Sequence, residues 1–168
     1  MIRLKKKNYL YKLYLWLPII TLYISVFNEF DLNYLNLKYF SFNFPLILIF
    51  YFSLKEYTYF DFLLVFFAGL INDTVVGLPL GLSSLSYIIT CILASYLRNL
   101  TIRPNLIKDW FYFLFTITLV NSLSYLVLFL FFSYDLDFNF SLINNFFTFL
   151  FYLPFTAIFN FYLKGLNE

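Results

Sequence analysis

Residues 110–132 read WFYFLFTITLVNSLSYLVLFLFF, a stretch without one formal charge. About 20 apolar residues suffice to cross the hydrocarbon core of a bilayer, and this run exceeds that. Further predominantly apolar runs lie at 10–28, 39–54, 58–73, 81–98 and 142–163. Charged residues make up 12% of the chain, against roughly 25% in a soluble domain, which leaves too little polar surface to cover a globule in water. The expected fold is therefore all-α: one polytopic transmembrane domain over 1–168, with six membrane helices at the runs just given, or five as the alternative, since the second, third and fourth runs are short. The opening MIRLKKKNYLYKLYLWLPIITLYISVF has the basic start and apolar stretch of a signal peptide. No small-residue cleavage site follows it, and the apolar part is longer than a signal core. It is expected to be the retained first helix.

Charge supports that count. With six spans and an inside N-terminus, the inner segments carry Arg3, Lys5, Lys6, Lys7, Lys12, Lys55, Arg98, Arg103, Lys108 and Lys164, and the outer ones only Lys38. This is the positive-inside bias that orients membrane proteins. The expected location is a bacterial cytoplasmic (inner) membrane, with both termini cytoplasmic. Lys5–Lys7 read as a topology signal that also attracts anionic membrane lipid. Tyr57, Tyr59 and Trp110 near run ends read as interfacial anchors, and Pro18, Pro45 and Pro154 as tolerated kinks.

One segment departs from the bulky, aromatic texture of the rest. In GLINDTVVGLPLGL, residues 69–82, three of the chain's four glycines, Gly69, Gly77 and Gly81, gather around an Asp and a Pro. Gly69 follows Ala68, and small residues let helix backbones approach closely where lipid supplies no hydrophobic drive. Asn72 and Asp73 are expected to end the third helix. Gly77-Leu78-Pro79 is turn chemistry, since Gly accepts positive φ and Pro interrupts the hydrogen-bond ladder. Gly81 then opens the fourth helix, with Ser83 or Ser84 able to cap it. Ser86, Thr90 and Ala94 continue a small-residue stripe, beside Cys91 and Ser95. Helices three and four are thus expected at the tight centre, wrapped by the Phe-rich helices. Three roles stand open for Asp73: a solvated acid that merely ends a helix, an acid folded back onto the N-terminus of helix four, or a catalytic or ion-binding group.

Residue types limit the chemistry. The chain has no His, the commonest general base and metal ligand. The lone Cys91 sits in an apolar run and reads as a bystander thiol. GLPLG lacks the Lys and Ser/Thr of a phosphate-binding loop. No catalytic, cofactor-binding or metal-binding residue is assigned, no cofactor is expected, and the protein is expected not to be an enzyme.

The stretch FFAGLINDTVVGLPLGLSSLSYIITCILASYLR, residues 66–98, resembles the rod shape-determining protein MreD family of bacteria. The residues that carry the likeness are Gly69, Leu70, Asp73, Gly77, Pro79, Leu80, Gly81 and Arg98. The resemblance implies a non-enzymatic membrane scaffold of side-wall elongation, needed for rod shape and peptidoglycan insertion. Its implied partners are an MreC-like bitopic membrane protein and, indirectly, an MreB-like cytoskeleton and the peptidoglycan synthases; no nucleic acid is implied. MreD-like proteins also resemble the six-helix substrate-binding subunits of energy-coupling-factor transporters, so a vitamin-transporter subunit is the alternative. A partner's membrane helix is expected to be held at Gly69–Ser95, the region suited to close backbone approach.

Overall fold

The computed structural model describes residues 16–27, 42–55, 60–100, 105–133 and 138–167. Among these residues the protein is all-helical: α1 Trp16–Phe27, α2 Phe44–Lys55, α3 Phe62–Val76, α4 Leu82–Leu100, α5 Leu106–Phe132 and α6 Phe138–Asn167. Two segments are long and apolar enough to cross a membrane, α5 and Ser141–Phe161 of α6. The helices α1, α2 and α3 are shorter. The 12 residues of α2 rise about 18 Å, less than the roughly 30 Å of a hydrocarbon core. In α4 the serines, threonine and Arg98 dilute the apolar content.

The centre of the bundle differs from expectation. It is α2, not α3, that shares the middle with α4. Residues Pro45–Leu54 of α2 are all buried, as befits a helix that is hydrophobic on every side. It packs against α4, α5 and α6, while α4 packs against α2, α3 and α5. By contrast α3 turns Leu63, Phe67, Val75 and Val76 outward. A small residue lets one helix crossing tighten, but total burial follows from having no polar face to leave outside, and α2 has none.

The abundant aromatic residues therefore build the interior as well as cover it. Phe42 stacks on Phe151 at 4.6 Å between ring centroids, Phe44 meets Phe155 edge-on at 4.8 Å, and Phe113 stacks on Tyr152 at 4.4 Å. These pairs join α2, α5 and α6. Such contacts add about 0.5–1.5 kcal/mol each beyond buried area. Trp110 also turns inward: its ring lies flat on Phe149 at 4.4 Å, and its Nε1–H donates to the Phe149 carbonyl at 3.0 Å. It thereby ties α5 to α6. The anchors expected at Tyr57 and Tyr59 lie outside the described residues. Pro45 is the second residue of α2, where its missing N–H costs nothing, so it starts a helix instead of kinking one. Pro154 lies inside α6.

Hydrogen bonds between side chains fix helix register. Tyr51 Oη donates to Asn160 Oδ1 at 2.6 Å between α2 and α6. Ser86 and Ser124 join α4 to α5 at 2.8 Å, and Asn121 Nδ2 donates to Asn145 Oδ1 between α5 and α6.

Candidate functional site

The glycine-rich stretch forms a tight joint between α3 and α4, and Asp73 holds both sides of it. The third helix does not end at Asn72 and Asp73; it continues to Val76 and closes on Gly77. The reason is the C-cap. Gly77 takes φ +74, the left-handed conformation that terminates helices, and Asp73 lies one turn earlier. The Asp73 carbonyl accepts the N–H of Gly77 and that of Leu78 at 3.0 Å. The side chain of the same residue caps the next helix. Its Oδ2 accepts the N–H of Gly81 at 2.7 Å, and its Oδ1 accepts that of Ser83 at 2.8 Å.

Of the three readings open for Asp73, the geometry is that of the folded-back acid. The residue is fully buried and is not a solvated loop acid. Gly81, at the N-cap position with φ +100, has no side chain with which to cap α4. Asp73 supplies the missing cap from eight residues upstream. Backbone N–H groups left free at a helix start attract an anion, and the helix dipole reinforces them. The expected caps Ser83 and Ser84 are occupied otherwise: Ser83 Oγ accepts from Asn72 Nδ2 at 2.9 Å, and Ser84 Oγ donates to the Phe66 carbonyl at 2.9 Å. Pro79 closes the turn, its carbonyl accepting the Leu82 N–H at 3.2 Å.

Gly69 is where α3 and α4 touch. A Cβ placed there would lie 2.3 Å from Ser84 Cα and 2.4 Å from Ser84 N, both backbone atoms. No side chain fits without parting the helices. Gly77 and Gly81 have open space around the same hypothetical atom, so they are needed for backbone angle alone. Ser86, Thr90 and Ala94 are buried on the inner side of α4. Ser86 and Thr90 donate back to the carbonyls of Leu82 and Ser86. Gly69, Ser86, Thr90 and Ala94 are therefore packed inside the bundle.

A second buried acid is not legible in the sequence. Asp109, in the first turn of α5 and buried, accepts from Lys55 Nζ at 3.1 Å. The ammonium also lies 5.9 Å from the centre of the Tyr51 ring. Asp109 went unnoticed because the predicted span began at 110, whereas α5 starts at Leu106, capped by the Asn105 side chain, which accepts the Ile107 N–H at 3.1 Å. In the sequence Lys55 reads only as a topology charge. An Asn-Pro-free turn of helix before Trp110 was the available signal, together with Asn105 in an N-cap position. Among the described residues no three of His, Cys, Asp and Glu come together as metal ligands would.

No protein-family model, curated protein or solved structure matches this chain.

Proposed function

We propose that the chain is a non-catalytic scaffold of the bacterial cytoplasmic membrane, acting in side-wall elongation through an MreC-like bitopic partner. On this reading it crosses the membrane six times with both termini cytoplasmic, and the link to an MreB-like cytoskeleton and the peptidoglycan synthases runs through that partner. The observation that carries the reading is the construction at Asp73. The motif residues Gly69, Asp73, Gly77, Pro79 and Gly81, on which the family likeness rests, are spent on the geometry of one helix joint. Both carboxylate oxygens are engaged by backbone N–H groups, which suits a structural acid better than one that exchanges protons. The two long apolar helices and the split of basic residues support the membrane part. The Lys55–Asp109 pair joins the C-terminal end of α2 to the N-terminal end of α5, as helices that alternate in direction across a bilayer would allow. Because Gly69, Ser86, Thr90 and Ala94 are buried, the partner's helix is expected on the outward face of the same region, where Leu80, Leu85 and Ile92 are exposed.

Depletion from a rod-shaped host tests the function. Rounded cells and recovery of an MreC-like protein on co-purification are expected. Unchanged cell shape together with lost uptake of a vitamin would replace this reading with the transporter alternative. Topology is tested separately, in a Cys91→Ala background. Single cysteines at Thr74 and Asn139 should react with an impermeant thiol reagent from outside intact cells, and one at Asn105 should not.

A further inference from the structure

We infer that the seam between α5 and α6 is a self-association surface, where two copies of this chain join their Asn121 and Asn145 side chains into one closed ring of amides. The inference stands apart from the proposed function. It needs only that α5 and α6 cross the bilayer, and these hold the two segments long and apolar enough to do so.

Asn121 Nδ2 donates to Asn145 Oδ1, and among the described residues neither side chain makes another hydrogen bond. Asn121 Oδ1 is thus left without a donor, and Asn145 Nδ2 without an acceptor. Both residues are half-buried. Neither atom is among the buried unbonded ones, which in the described residues are the Tyr87 and Tyr152 hydroxyls. The two atoms therefore open onto the outside of the bundle. Their neighbours agree with that placement. Thr118, one turn from Asn121 on α5, is exposed, as are Leu142 and Phe146 beside Asn145 on α6.

Depth decides what can meet these atoms. At the rise of an α-helix, Asn145 lies roughly 10 Å beyond Phe138, where α6 starts. On the same basis Asn121 lies roughly 16 Å before Phe132, where α5 ends. Amides so far from the helix ends stand in hydrocarbon, which has no water to bond them, and an unbonded amide there is costly. Lipid headgroups stay at the surface. A membrane helix carries polar side chains to this level.

The pattern of donor and acceptor selects the helix. One of each stands open, side by side, and at one depth because the two residues bond each other. A two-fold axis makes contacts reciprocal, so that if one residue meets a second, the second meets the first. With the axis along the membrane normal, Asn145 Nδ2 of each copy donates to Asn121 Oδ1 of the other. Every amide in the ring then donates once and accepts once. Any other helix would have to bring its own matched pair to this depth. Thr118 spends its hydroxyl on the carbonyls of Leu114 and Phe115, and its small side chain lets a second copy come close.

Energy transfer between fluorescently labelled full-length chains in liposomes, read over a range of protein-to-lipid ratios, tests this. Wild type should dimerise. Asn121→Leu and Asn145→Leu should each weaken association about tenfold, because either change removes both bonds between copies, each of modest strength in a membrane. Mixing the two variants is the sharper arm. Asn145 of one chain still meets Asn121 of the other, so the mixed pair keeps one bond and should associate about threefold more tightly than either variant alone. A wild type that stays monomeric at every ratio overturns the inference, even if the leucine variants fail to fold. So does a dimer that both leucine variants keep at full strength, or a mixture no tighter than its parts.

Discussion

The two acids buried among the described residues are satisfied in opposite ways. Asp73 is held by main-chain N–H groups at the joint of α3 and α4. Asp109 is held by a side chain, Lys55, which links α2 to α5. The contrast teaches what each can tolerate. Backbone donors cannot be removed by substitution, so loss of Asp73 leaves them unbonded in the interior. An ion pair is made of two replaceable parts, and an apolar pair of similar volume is often as stable or more so.

The largest effect should come from Asp73→Ala. Two N–H groups at the start of α4 lose their acceptor, each worth about 1–3 kcal/mol when buried, so unfolding in detergent micelles should become easier by about 4 kcal/mol. Asp73→Asn should cost about half as much, because one oxygen still accepts while the new NH₂ faces the other N–H. Equal stability of the alanine variant and wild type would remove the distinction between the two acids.

Next comes Gly69→Val, at about 3 kcal/mol, the upper range for overpacking a tight core. Its side chain meets the Ser84 backbone, and the joint that Asp73 pins must open. Chemical cross-linking between cysteines on α3 and α4 would report the separation, and an unchanged cross-linking rate would count against the close crossing.

Asp109→Asn should be milder, about 2 kcal/mol, since Lys55 keeps 23% side-chain exposure and can turn toward solvent. The sharper measurement is the pair. Lys55→Met with Asp109→Leu should recover stability to within about 1 kcal/mol of wild type. If the double variant is as weak as the single, the ion pair is no more replaceable than Asp73.

Gly77→Ala should be the smallest, about 1 kcal/mol, the cost of a left-handed conformation for an L-residue. No atom stands in the way of its Cβ. A loss as large as that of Gly69→Val would mean that the two glycines share one role, against the difference in their surroundings.

The joint was legible in the sequence because its logic is local. Gly77, Pro79 and Gly81 declare unusual backbone, and Asp73 precedes an uncapped helix start by only eight residues. The helix boundary was missed by three residues there, because Asp73 resembles a helix terminator when its carbonyl's role in the Gly77 cap is unseen. The Lys55–Asp109 ion pair was illegible because its residues are 54 positions apart, and nothing in either neighbourhood names the other. The same distance hid the Tyr51–Asn160 bond, 109 residues apart.

What the sequence determined alone was helical character, the scarcity of polar surface, and the place where two helices must cross closely. These follow from side-chain chemistry and backbone freedom within a few residues. Only the tertiary structure decided which helix lies in the middle. FPLILIFYFSLK and FLLVFFAGLINDTVV are similarly apolar as strings, yet α2 is enclosed and α3 faces outward. Burial depends on what packs around a helix: α2 is met by α4, α5 and α6 together, with bonds waiting for Tyr51, Ser53 and Lys55. Those partners come from distant parts of the chain, and only folding brings them to the same place.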